Sequence, residues 1–520
     1  MADESVDLIY LDPPFNSKAD YNILFKEASG EESTAQIQAF TDFWHWDTEA
    51  RRAYEYLTLE APPDVSNLIE ALYTFLGRND MLAYLVMMGI RLIELHRVLK
   101  HTGSIYLHCD TTAGHYLKIL MDSIFGVKNF RNDIVWKRFN FHADAKRFGR
   151  VTDRILFYSK TDDYKFERQY APYKEDYIKK KFRHKDKNGR RFRLSDLNPP
   201  GGRGPIYEFH GVTRPWRYTK EKMLQLEKEG RIYTKSRVPQ LKRYLDELQE
   251  RGGAVVHEIW DDIPAINSRA KERLGYPTQK PVQLLERIVE ASSDKGDVVL
   301  DPFCGCGTAV VASEKLNRKW IGIDITYLAI NLVKGRLKDT FPTADFTVEG
   351  EPRDIEAAKA LATNPYQFQW WALSLIDAVA IGSTLSSPTI GKKGADEGVD
   401  GWLRFVDGPE GHIERGVVQV KCGKVGVKDI RELRDVVSHQ NAAVGLFITL
   451  EQPTSEMIKE VKLTDPYLST RWNREYPKIQ ILTIDDLLKG VKPELPPRIS
   501  MFQEAPRMKR EVKQIQVKLS

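Results

Sequence analysis

The segment Val298-Val299-Leu300-Asp301-Pro302-Phe303-Cys304-Gly305-Cys306-Gly307-Thr308 constrains this chain more than any other. Its apolar start predicts a short buried strand, and the glycines after Asp301 predict a tight loop that opens a helix over about 308–316. A further strand, Trp320–Ile323, ends at Asp324. Strand, glycine loop, helix and strand in that order predict an α/β fold with a doubly wound, Rossmann-like sheet. Gly305 and Gly307 let the backbone approach a ligand closely, and the helix N-terminus offers unpaired N–H donors. Asp324 is placed to accept hydrogen bonds from both ribose hydroxyls of a nucleoside cofactor. Two other readings compete, a tight structural turn and a dinucleotide fold. The second lacks its third glycine, whose position Val310 occupies.

A second strand, Val6–Leu11, stops at Asp12-Pro13-Pro14-Phe15. Two prolines can neither continue a strand nor sit inside a helix, so the motif is a rigid turn at a strand's C-terminal edge. An amino group conjugated to an aromatic ring is a poor nucleophile because its lone pair is delocalised. The Asp12 carboxylate and the Pro13 carbonyl, accepting its two hydrogens, would restore sp³ character. Pro13 and Pro14 would fix that carbonyl, and Phe15 would stack on a base flipped from the duplex. An ordinary strand-end turn is the alternative for this motif taken alone.

At 520 residues the chain has room for two to four domains of roughly 150 residues. Nowhere are about 18 apolar residues consecutive, and the N-terminus lacks a secretory apolar stretch, so a cytoplasmic protein without a membrane span is expected. Cys109, Cys304, Cys306 and Cys422 do not form a paired zinc spacing. Net charge is +5, but residues 131–270 alone hold 33 Lys and Arg against 20 Asp and Glu. A basic middle in an otherwise acidic chain is the footprint of a polyanion binder, or of a solvated face. Trp44-His45-Trp46 and Trp370-Trp371 read mainly as packing, and Lys179-Lys180-Lys181 reads equally as solvated face or as phosphate contact.

With the two motifs in this order, the chain resembles the circularly permuted β class of amino-group DNA methyltransferases. Asp12–Phe15 comes first, a recognition region follows, and the cofactor loop comes last. Tyr276-Pro277-Thr278-Gln279-Lys280-Pro281, His108-Cys109-Asp110 and Asn129-Phe130 through Trp136 are similar to family segments too. The resemblance covers about 1–345, with 131–270 as an inserted target-recognition region approaching the major groove of double-stranded DNA. It implies S-adenosyl-L-methionine as cofactor, held by Asp301, Pro302, Phe303, Gly305, Gly307, Thr308 and Asp324, with Lys280 near its methionine end. It implies Asp12, Pro13, Pro14 and Phe15 as the catalytic set. Asp at the first motif position favours adenine N6 over cytosine N4. Family members usually carry further residues before the first strand, whereas eleven precede Asp12 here.

A smaller α/β domain is expected over 365–490, after a charged linker at 346–364 and before a basic tail at 491–520. Its acidic turn Gly394-Ala395-Asp396-Glu397-Gly398-Val399-Asp400 and the strand Val417-Val418-Gln419-Val420-Lys421 resemble the Mrr-type branch of the PD-(D/E)xK nuclease fold. That resemblance implies Asp400 as metal ligand, Gln419 where many relatives have Glu, and Lys421 as catalytic lysine; an active domain would call for Mg2+. A carboxylate at Gln367 or Gln369 would have strengthened the set. The fusion implies a prokaryotic or phage restriction–modification or defence role. A nuclease whose methyltransferase half mainly recognises DNA is the alternative, as is a catalytically dead DNA-binding domain. A homodimer stays open.

Overall fold

The computed structural model describes residues 1–14, 45–138, 146, 148–267, 270, 272–274, 276, 278–380, 398–407 and 413–497. Phe15, Trp44, Pro277, residues 394–397 and the tail beyond 497 lie outside the described residues. The chain forms two compact units, one of Met1–Phe166 with the residues from Ile263 onward, the other of Glu167–Asp262.

The first unit begins with β1 (Val6–Leu11), buried along its whole length. Its one charge, Asp7, takes Lys100 Nζ at 2.8 Å and Val298 N at 2.9 Å, so a buried carboxylate pins neighbouring strands together. Helices α1 (Thr48–Leu59), α2 (Pro63–Leu76) and α3 (Asp80–Val98) follow. Asp47 caps α1 by accepting from Ala50 N at 2.9 Å, and Asn79 caps α3 by accepting from Leu82 N at 2.9 Å. β2 (Leu99–Cys109) starts directly after α3 and runs through Thr102-Gly103, a pair that by residue type alone reads as a helix stop. Gly103 has a packing role instead, since a Cβ there would lie 2.5 Å from Leu99 Cδ1. Next come α4 (Gly114–Phe125), β3 (Phe130–Lys137) and β4 (Thr152–Ser159). After the second unit the chain supplies α5 (Val282–Ser292), β5 (Val298–Asp301), α6 (Thr308–Lys315), β6 (Lys319–Gly322) and α7 (Tyr327–Thr340).

Within this unit the strands lie in the order β3-β4-β2-β1-β5-β6. β1 is parallel to both β2 and β5, and β5 is parallel to β6; β4 and β3 are antiparallel additions. The crossover from β1 leads away to β2, and that from β5 leads the other way to β6. Adjacent parallel strands with opposed crossovers leave a crevice beyond their C-terminal ends. Those ends carry Asp12 and Asp301, so the sheet brings together two motifs far apart in sequence.

α8 (Ile355–Leu361) lies inside the stretch read as a linker, and α9 (Pro365–Leu375) opens the C-terminal domain. Its sheet runs β7 (Val379–Ala380), β8 (Gly401–Val406), β9 (Ile413–Lys421), β10 (Val444–Thr449) and β11 (Ile479–Thr483), in that spatial order. One face packs Val417 and Phe447 on Leu433 and Val437 of α10 (Val427–His439). The other packs Val418, Leu446 and Ile448 on Phe368, Trp370 and Trp371 of α9. Leu328 of α7 joins that second core, and Asn331 Nδ2 donates to Trp370 O at 2.8 Å. Gln367 accepts from Tyr327 N at 3.2 Å, so its side chain is engaged with α7.

The Glu167–Asp262 unit has a sheet of four short antiparallel strands over a small core of Leu197, Phe209, Trp216, Met223 and Leu241. Cations lie on its aromatic rings, as with Arg190 over Tyr244 at 4.0 Å. Lys179, Lys180 and Lys181 end an exposed helix. The basic stretch 131–270 therefore divides, with β3 and β4 built into the first unit's sheet and 167–262 forming the separate unit.

Candidate functional site

A cavity of about 980 Å³ opens at the β1/β5 crevice. Its wall includes Asp12, Pro13 and Pro14 from the end of β1, Asp301 through Gly305 and Thr308 after β5, Asp324 after β6, and Lys280. Among the described residues, the two sequence motifs thus share one chamber. Gly305 and Gly307 have φ of +48° and +74°, the left-handed region that glycine tolerates. A Cβ on Gly307 would also lie 2.7 Å from Val333 Cγ2.

The loop is held from several sides. Asp324 Oδ2 accepts from Gly305 N at 3.1 Å, and its other oxygen accepts from Thr326 N and Thr326 Oγ1 at 2.8 Å each. Buried Arg336 of α7 donates to Cys306 O at 3.2 Å, and Thr308 Oγ1 donates to Lys280 O at 3.3 Å. Cys304 and Cys306 are buried free thiols, and burial pushes both above the usual thiol range.

Lys280 is 7% exposed and its ammonium pairs with Asp12 Oδ2. The resemblance placed this lysine near the cofactor's methionine end, and the structure places its charge on the motif carboxylate. Asp12 Oδ1 is buried and accepts no hydrogen bond among the described residues. A buried acceptor left without a donor is costly, so a donor brought to it by a ligand would relieve that cost.

Burial pushes the Asp301 carboxyl well above its ordinary value, with the charges of Asp12 and Asp324 acting the same way. Burial also raises Asp324. A raised folded-state pKa stabilises the fold below the unfolded carboxylate range and loses that contribution as pH rises toward the folded value. At neutral pH, Asp301→Asn is therefore expected to be more stable than the native chain in urea unfolding. An equal or lower midpoint would contradict the cost assigned to this buried carboxyl.

Among the cavity residues that escaped the sequence reading are Tyr10, Ile325 and Arg91. Tyr10 lies two positions before Asp12, and the strand's two-residue period would have put it on the same face. Ile325, beside Asp324, is 86% exposed and offers an apolar surface at the chamber wall. Arg91 of α3 lines the chamber too, and nothing in its local sequence marked it. In the C-terminal domain, Asp400 Oδ2 accepts from Val420 N at 2.7 Å, while Gln419 Oε1 is buried without a partner among the described residues. Lys421 is exposed at the end of β9. Among the described residues, no group of three or more His, Cys, Asp or Glu is arranged to hold a metal ion.

A switch-point crevice with a glycine loop and an acid on the following strand defines a Rossmann-like α/β enzyme class built around a nucleoside cofactor. The family model described as DNA methylase, of the N6 and N4 type, matches residues 6–334, and that described as restriction endonuclease, of the Mrr catalytic type, matches 362–485. The chain belongs to the N6/N4 DNA methylase family and carries an Mrr-type restriction-endonuclease domain after it. Type II methyltransferase M.EcaI of Enterobacter cloacae is 34% identical over 262 residues, 49% of this chain and 57% of the relative. The Type III restriction-modification enzyme StyLTI Mod subunit of Salmonella typhimurium is 27% identical over 336 residues, 61% of this chain and 47% of the relative. The chain thus spans about half the length of these curated relatives. Among solved structures, PvuII DNA methyltransferase (cytosine-N4-specific) is 12% identical with a TM-score of 0.31, covering 71% of this chain and 87% of that one. No described helix is long and apolar enough to cross a membrane.

Proposed function

We propose that this chain methylates the exocyclic amino group of a base in double-stranded DNA, adenine N6, using S-adenosyl-L-methionine. The observation that carries the reading is Asp12, which lines the glycine-loop cavity and whose buried Oδ1 has no donor among the described residues. The residues present fit the cofactor. Asp324 suits a ribose, exposed Ile325 suits the face of its base, and Asp301 suits its ammonium. When bound, the cofactor supplies an electrophilic methyl group. Asp12 Oδ1 and the Pro13 carbonyl would then take the hydrogens of the target amino group, restoring its nucleophilic lone pair. The nitrogen gains a methyl and gives up one hydrogen, which Asp12 Oδ1 is placed to accept. Lys280 is paired on Oδ2, which leaves Oδ1 as the carboxylate oxygen available to a ligand hydrogen. Phe15 remains the proposed stacking residue. Asp in the first motif position supports adenine.

The basic surplus over 131–270 supports phosphate contact, so binding should weaken steeply with added salt. The test is transfer of label from methyl-labelled S-adenosyl-L-methionine to duplex DNA by the full chain. Label in DNA is the expected result, and none across DNA of several sources would contradict the proposal.

A second activity is favoured by buried, unpartnered Gln419 Oε1 beside Asp400. A carboxylate and an amide carbonyl are oxygen ligands suited to Mg2+, with Lys421 to stabilise charge on a scissile phosphate. Lys421→Ala is expected to abolish Mg2+-dependent cleavage of DNA while methyl transfer persists. Unchanged cleavage in a plasmid-nicking assay would contradict this assignment.

A further inference from the structure

Beside Asp12 the sheet carries a polar row that the proposed chemistry leaves unused, and strand register creates it. Tyr10 of β1 pairs with Tyr106 of β2, and Leu11 with Leu107. The next positions, Asp12 and His108, therefore fall opposite one another. His108 pairs with Ile155 of β4, and Asp153, two residues before Ile155, shares its face. Tyr10, His108 and Asp153 are 2%, 0% and 1% exposed. Tyr10 Oη lies 2.9 Å from His108 Nδ1, and His108 Nε2 lies 3.0 Å from Asp153 Oδ2. Arg138 Nε lies 3.2 Å from the other Asp153 oxygen. Polar groups so deep in a sheet are costly unless each satisfies the next, and apolar side chains would fill the same row without that demand.

The direction of this hydrogen-bond chain follows from its end. Burial acts to raise the Asp153 carboxyl, yet the group is held below its ordinary value, with the His108 hydrogen bond and the charges of Arg138 and Lys280 acting against burial. A carboxylate only accepts, so His108 Nε2 carries the ring proton. Among the described residues His108 Nδ1 is the hydrogen-bond partner of the buried Tyr10 hydroxyl, so Nδ1 accepts, and donation to Nδ1 is what satisfies the O–H of Tyr10. Its O–H bond is committed to His108, and its oxygen retains only lone pairs. Tyr10 also lines the chamber that Asp12 lines. A fixed dipole with its negative end toward a cavity favours positive charge developing there.

We infer that His108 is a positioning residue for methyl transfer, holding the Tyr10 hydroxyl so that its oxygen, beside Asp12, presents lone pairs alone to the amino nitrogen that gains positive charge. This rests on the reading of the Asp12 cavity as the methyl-transfer site. Steady-state kinetics of the full chain with duplex DNA and S-adenosyl-L-methionine test it through three variants. The His108→Asn amide occupies the place of Nδ1 and can accept from Tyr10, but cannot reach Asp153. The His108→Gln amide reaches the place of Nε2 and can donate to Asp153, but leaves Tyr10 without an acceptor. Tyr10→Phe and His108→Gln are each expected to lower kcat about tenfold, with KM for the cofactor within about twofold. His108→Asn is expected to keep roughly a third of kcat, and the Tyr10→Phe/His108→Gln pair should be no slower than either single change. The reverse ranking, with His108→Gln near native and His108→Asn impaired, would mean that His108 only satisfies buried Asp153, and would overturn the inference. If the His108 variants do not fold, Tyr10→Phe decides alone, and an unchanged kcat overturns it. Absence of methyl transfer by the unaltered chain would overturn the reading of the cavity as well, which separates the two failures.

Discussion

Asp12→Ala is expected to lower kcat for methyl transfer about a thousandfold while cofactor affinity stays within about threefold. Two separable facts give this split. The carboxylate's unpartnered oxygen is the acceptor on which activation of the amino group depends. The loop of Gly305 and Gly307 is held by Asp324 and Arg336, and neither contact passes through Asp12. Single-turnover kinetics with calorimetric titration of S-adenosyl-L-methionine measure both quantities. A large loss of affinity with little loss of kcat would make Asp12 a cofactor ligand and contradict its assigned role.

The second large effect concerns Lys280. Its side chain is 8% exposed and that of Asp12 is 14% exposed, so removing one partner strands a charge inside the cavity wall. Lys280→Met is expected to destabilise the fold by about 3 kcal/mol, the usual scale for breaking a buried pair. The Asp12→Asn/Lys280→Met pair should recover most of that loss, because no lone buried charge remains. Urea unfolding of the four proteins closes this cycle. A loss below about 1 kcal/mol in the single variant would mean that the ion pair is solvated.

Much of this arrangement was legible in the sequence, because both motifs are local. A buried strand that stops at two prolines, and another that stops at a glycine loop, announce the C-terminal edge of a parallel sheet wherever they occur. That β1 and β5 are neighbours follows from the order of crossovers, whereas the resemblance implied the order of the motifs along the chain. Partners across strands were not legible. His108 stood out only as part of a family-like segment, and nothing near Asp153 marked it. Their contact depends on β4 pairing antiparallel to β2 in one register. Lys280 was assigned from its segment, whereas its pairing with Asp12 depends on how the chain returns into the crevice. Gly103 shows the same limit. Thr102-Gly103 looks like a helix stop, yet Leu99 packs against it and the strand continues.

The central claim is that one cavity joins the glycine loop to Asp12 and moves a methyl group to an exocyclic amino nitrogen. Its most direct test is mass spectrometry of nucleosides from duplex DNA incubated with the full chain and labelled S-adenosyl-L-methionine, alongside Asp12→Ala. The account predicts labelled N6-methyladenine that disappears in the variant. Labelled N4-methylcytosine would contradict the choice of base, and label that persists in Asp12→Ala, or no methylated nucleoside at all, would contradict the claim itself.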